Sequence, residues 1–285
     1  MHLNSFIGLR FEILKSLLCL NLKKHINRGM DIDIWLIVLA TLGSFLAGFM
    51  DAVIGGGGLI QVPILLILFP QLPHTSIIAT NRMSSIAGTL VAARQYIKKI
   101  KINYGFIAIA GVLSGIASYM GTFVMKAIPN ETFKTILFVI IGLLTLYTVL
   151  RKSMGLVDVS EKNKHKHIIF AFIGIVLGLY NGVIGPGTGT LLVFALVQFI
   201  GFNFLMSSAY AKLINAISDG SSLIAFLMQG AVVFTVAIPM LIANMCGAYL
   251  GSRMAIQNGN KFIRVFFIIV MVLLLGKLAF DIWFS

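Results

Sequence analysis

Long apolar runs separated by short polar or glycine-rich breaks fill the chain from Ile34 onward, at about 34–54, 57–69, 75–97, 102–126 and 133–150, then 168–184, 187–202, 207–229, 232–255 and 262–283. A helix needs about 20 residues to cross the hydrocarbon core, so several runs are long enough to span a bilayer. The runs at 57–69 and 187–202 are shorter, and both lie beside glycine clusters. The pattern predicts an all-α, polytopic integral membrane protein of about eight to ten transmembrane or half-membrane helices. Composition agrees: 59% of the 285 residues are hydrophobic and 11% charged, whereas soluble domains carry roughly 25% charged residues. The surplus of 22 Lys and Arg over 9 Asp and Glu sits largely in the gaps between runs. There it sets topology and meets anionic headgroups. No nucleic-acid motif accompanies it, and two cysteines, Cys19 and Cys246, offer no redox framework.

Four stretches follow. Residues 1–30 form a basic N-terminal extension containing Arg10, Lys15, Lys23, Lys24 and Arg28. It reads as an interfacial amphipathic helix without a small-residue cleavage site, or as sequence upstream of a start at Met30. Residues 31–150 and 167–285 are two transmembrane repeats, joined by a charged linker at 151–166. A shift of 130 positions lays Gly48–Gly57 on Gly178–Gly187, Arg82 on Lys212, Ala117–Gly121 on Gly247–Gly251 and Lys134 on Arg264 without a gap. Duplicated membrane units with interrupted segments at matching places point to a transporter with a site between the repeats. An odd number of crossings per repeat would invert the second relative to the first. An even number would place both in one orientation.

The glycine clusters, Gly55, Gly56, Gly57 and Gly58 in the first repeat and Gly185, Gly187 and Gly189 around Pro186 and Thr188 in the second, interrupt helices. Freed backbone groups in a bilayer survive only against protein or a wet cavity. A helix restarting after such a break presents unpaired N–H groups and a positive dipole end, suited to an anion. Close helix packing is the competing reading, particularly for Gly247 and Gly251. Arg82 and Lys212 add two intramembrane cations, without an obvious neighbouring acid in sequence. Ser85 and Asn215 lie one turn beyond them, and Asn81 is adjacent to Arg82. Together these residues and Thr188 form the expected site for a small anion, unless the cations snorkel to the interface. Asp51 and its counterpart Asn181 are candidates for a coupling ion or for pairing, Asp51 with Arg82. Asp219 has no acidic counterpart. Gln61 and Tyr180 are secondary candidates that equally suit helix bridging. The histidines form no metal-ligand set, no cofactor motif is present, and no catalytic constellation supports an enzyme. The sequon Asn130-Glu131-Thr132 carries little by itself.

The motifs Ala47–Pro63, Ala79-Thr80-Asn81-Arg82, Gly178–Gly189 and Ala211-Lys212-Leu213-Ile214-Asn215, in that order, resemble the TauE/SafE family of membrane transporters, often described as sulfite exporters. The likeness covers about residues 31–285. It implies a bacterial-type inner-membrane permease for sulfite, sulfonates or related anions, without an ATPase subunit. Arg82 stands where many members carry Lys. Secondary export or exchange by alternating access is the expected function. An anion channel and a membrane-embedded assembly factor are the alternatives. Homo-oligomerisation is left open.

Overall fold

The computed structural model describes residues 33–125, 155–160 and 165–283. The extension at 1–30, the apolar run at 133–150, the sequon at 130–132, Lys134 and half of the charged linker lie outside the described residues. Eight helices are described: α1 (Ile34–Ile54), α2 (Gly57–Leu68), α3 (His74–Ile97), α4 (Tyr104–Val124), α5 (Lys166–Val183), α6 (Thr188–Ala195, continued by a π turn to Ile200), α7 (Phe204–Met228) and α8 (Phe234–Trp283). The last is bent at Gly259, whose backbone is not helical. Side-chain caps start several of them. Asp33 accepts from Trp35 N at 3.0 Å, Asn103 from Gly105 N at 2.9 Å and Asn203 from Met206 N at 2.8 Å, each satisfying an otherwise orphaned donor of a first turn.

Each glycine cluster becomes the tip of a helical hairpin. Gly55 (φ 84°) and Gly185 (φ 90°) are 130 positions apart and both left-handed, a conformation that glycine adopts without the Cβ clash. After Gly55 the short α2 turns back along α1. Ile64 lies against Gly43, and Ala40 joins Val62 and Leu65 in one buried cluster. After Gly185 the α6 segment likewise returns along α5, bringing Phe202 to within 6.1 Å of Phe170, ring to ring. The two tips touch, with Gly55 packed on Gly189 and Gly58 on Pro186.

Helix directions follow from contacts between named residues. Gly48 packs on Asn244, Gly251 on Phe49, and Ser44 bonds to Met240, so α1 and α8 run parallel. Gly174 packs on Ala110, Gly178 on Ser114 and Gly182 on Ser118, so α5 and α4 also run parallel. Between these pairs, α3 and α7 cross antiparallel: Arg82 meets Asp219, while Ala79 clusters with Phe226. The contact Gly48–Asn244 and the contact Gly178–Ser114 are related by the 130-residue offset, as are Gly251–Phe49 and Gly121–Leu179. Helix starts recur with the same offset, α3 at 74 against α7 at 204 and α4 at 104 against α8 at 234. Because the offset-related α3 and α7 are antiparallel, the second set of helices is inverted with respect to the first.

Among the described residues, four helices are apolar and long enough to cross a membrane, over Ile34–Ile54, Tyr104–Val124, Lys166–Val183 and Phe234–Phe266. Their outward residues, among them Leu42, Leu46, Val112, Ile116, Phe172 and Ile242, are exposed hydrophobics, as a lipid-facing surface requires. The polar helices α3 and α7 pack on one another, α3 also against α8 and α7 against α4, while α1 pairs with α8 and α5 with α4. Small residues make the close crossings possible. A Cβ at Gly178 would stand 2.5 Å from Ser114 Cα, a backbone clash that no side-chain rotation relieves. Gly178→Val is therefore expected to destabilise the fold by at least about 3 kcal/mol. Gly276→Ala, at an exposed position with nothing within 4 Å of the added carbon, should be neutral. Thermal unfolding of detergent-solubilised protein separates the two.

Candidate substrate site

Arg82 and Lys212 are 4% and 1% exposed, which rules out snorkelling to the interface. Each has an acidic partner on another helix. Arg82 Nη1 bonds to Asp219 Oδ1, and Lys212 Nζ lies 2.7 Å from Asp51 Oδ2. The expectation that neither cation has a nearby acid is overturned, and so is the pairing of Asp51 with Arg82. Sequence distance hid both partners, which lie 137 and 161 positions away. Both pairs join the first set of helices to the second. Arg82 of α3 reaches Asp219 of α7, and Lys212 of α7 reaches Asp51 of α1.

The hydrogen bonds around each carboxylate also follow the 130-residue offset. Thr89 Oγ1 donates to Asp51 Oδ2 at 3.2 Å, and Asn181 Nδ2 donates to Asp219 Oδ1 at 3.0 Å. Positions 51 and 89 thus correspond to 181 and 219. Each pair of positions holds one acid and one neutral donor, with the roles exchanged. Asp219 therefore completes the site, although comparing the repeats position by position leaves it without an acidic match. The available signal was complementarity: the two positions where the repeats differ in charge are neighbours in space. Thr89 was missed as a site residue for the same reason.

A narrow cleft lies at the hairpin tips, lined by Asp51, Gly55, Gly58, Asn81, Arg82, Ser85, Thr89, Gly185, Gly187, Thr188, Gly189, Asn215 and Asp219. Its free space is on the order of one or two water molecules. Four expected site residues stand behind its wall. Lys212 is covered by Asp51, and Asn181 holds Asp219, Ser218 and Thr188. Gly56 caps α2. Gly57 N donates to Asp51 Oδ1 at 3.3 Å, so the chain's own carboxylate occupies the start of that half-helix. The anion-attracting end of α2 is thus already neutralised.

Several donors and acceptors remain open. Arg82 also donates through Nη2 to the carbonyl of Asn181, but its Nε has no partner among the described residues. Asn215 Nδ2 donates to Asp219 Oδ2 at 2.8 Å, which fixes the amide and leaves its buried Oδ1 unpaired; Asn81 Oδ1 is unpaired as well. Tyr180 serves the tip, its hydroxyl donating to Pro186 O at 2.9 Å. Gln61 lies in a separate buried network with Ser44, Ser84 and Asn244. Among the described residues no cluster of His, Cys, Asp and Glu could hold a metal ion.

Paired hairpins, helices long and apolar enough to cross a membrane and a charged cleft between the two sets define a polytopic helical membrane protein. Residues 40–278 match the sulfite exporter TauE/SafE family, and the chain belongs to it. It is 31% identical over 253 residues to a probable membrane transporter protein of Haemophilus influenzae, covering 88% of this chain and 98% of that protein. It is 29% identical to the probable membrane transporter YfcA of Escherichia coli K12, over 84% of this chain and 87% of the relative. It is 24% identical to the probable membrane transporter YunE of Bacillus subtilis, over 87% and 99%. No solved structure matches the chain.

Breaking a buried ion pair costs more than removing it whole, because a lone buried charge loses its compensation. Arg82→Gln alone should destabilise the protein by about 3–5 kcal/mol. Combining it with Asp219→Asn should recover much of that, giving a coupling of about 1–3 kcal/mol in a double-mutant cycle of unfolding free energies.

Proposed function

We propose that the protein is a secondary transporter of the inner membrane that exports or exchanges small sulfur-containing anions, such as sulfite or sulfonates, by alternating access. The observation carrying this reading is the exchanged ion pairing. Each set of helices supplies a cation to the other set's carboxylate beside a cleft at the meeting point of two hairpins. A small oxyanion suits the guanidinium of Arg82, whose planar fork matches two oxygens at once. Its Nε, without a partner among the described residues, is a further donor there. No ATP-binding motif is present in the sequence, so gradients of the anion or of a second ion supply the driving force.

The inverted arrangement gives alternating access a mechanical basis. Two offset-related sets packed through α3 and α7 admit two tilts related by a pseudo-two-fold rotation, each opening the cleft to one side. The contacts crossing between the sets include glycine-on-backbone crossings, the two ion pairs and apolar clusters such as Ala79 with Phe226 and Val62 with Val236. The reading describes a carrier, with no chemical step on the substrate.

Purified protein in liposomes should exchange sulfite or a sulfonate at carrier rates. Arg82→Gln, normalised to folded protein, should lower that flux by roughly 10–100-fold, the loss expected when a charge-assisted contact of about 1.5–3 kcal/mol disappears. Normal flux in this variant would remove the anion site from this cleft. Single-channel currents would replace the carrier with a pore, and a complete lack of flux would favour an assembly role.

A further inference from the structure

Resting on the anion-carrier reading, we infer that Asp219 is the site at which a proton is taken up together with the anion. The basis is the charge sum. Arg82, Lys212, Asp51 and Asp219 are the four buried charged residues among those described, two of each sign. The cluster is neutral as it stands. A bound anion would leave it with excess buried negative charge, which a low-dielectric interior resists. One proton restores neutrality.

Geometry selects Asp219 over Asp51 as the acceptor. The partner of Asp219 is Arg82, a cleft-lining cation with an unpaired Nε. The partner of Asp51 is Lys212, which the carboxylate screens from the cleft. Groups acting on Asp219 come from several elements: Arg82 of α3, Asp51 of α1, Asn181 of α5 and Lys212 of its own helix. Tyr180 of α5 acts on Arg82. Asn215, one turn before it, donates to Oδ2, while Ser118 of α4 and Thr188 of α6 bond to Asn181.

A proton from solution added to an Asp219 carboxylate oxygen turns that partner of Arg82 into a neutral acid. The guanidinium then takes the anion in its place. Departure of the anion returns the carboxylate to Arg82 and the proton to water. Anion and proton therefore cross together, and for a monovalent anion the cycle moves no net charge.

The test uses the full chain in lipid with methanesulfonate, which stays fully ionised from about pH 5 to 8 and adds no titration of its own, and with sulfite as a second probe. One-proton linkage predicts that the dissociation constant for methanesulfonate rises tenfold per pH unit across the upper part of that range. Binding should also raise a carboxylic-acid C=O band in the infrared difference spectrum. Asp219→Asn should abolish both the slope and the band. The wild-type slope and band decide the matter even if that variant does not fold. Binding without a pH slope or band would overturn proton coupling and leave the anion site intact. A slope and band that persist in folded Asp219→Asn would move the proton elsewhere and overturn the assignment. No binding of either probe at any pH would overturn the anion reading and this inference with it.

Discussion

Two cations and two carboxylates, enclosed where lipid would otherwise demand apolar side chains, set the terms for the rest of this molecule. A charge at the centre of a membrane helix is tolerable only with a partner and with protein on every side. Helices α3 and α7 carry three of the four charges and pack on one another, with the apolar pair α1 and α8 on the α3 side and the apolar pair α4 and α5 on the α7 side. Backbones in contact at Gly48, Gly174, Gly178 and Gly182 hold each apolar pair together.

The exchange of partners between the two sets has a mechanical consequence. Had each cation found its acid within its own set, each half would be electrostatically complete. Instead, among the described residues, Arg82 is neutralised by α7 and Lys212 by α1. The halves are held at the cleft by charge and elsewhere by shape. Any ligand that competes for Arg82 therefore acts on the contact between the halves.

The two sets are not chemically equal. Ser44, Gln61, Ser84 and Asn244 form a hydrogen-bonded network beside the first hairpin. The positions 130 away are Gly174, Leu191, Ile214 and Ser114, mostly apolar or small. The first hairpin thus carries a polar network that has no counterpart at the matching positions of the second, although the two share a fold.

The sequence by itself determined the membrane setting, the hairpin-forming glycine breaks and the two intramembrane cations. These follow from local chemistry: apolar run length, the backbone freedom of glycine and the cost of charge in lipid. It also determined most of the cleft wall, because Gly55, Gly58, Arg82, Gly185 and their neighbours carry local signals. The tertiary structure alone decided which acid serves which cation, since both pairs join residues more than 130 positions apart. It decided the inversion of the second set as well. Helix direction is fixed by which faces meet, such as Gly178 on Ser114, and a list of apolar runs contains no information about facing partners. Asp219 entered the site only through that folding, because its meaning depends on Arg82 and Asn181 converging on it from two other helices.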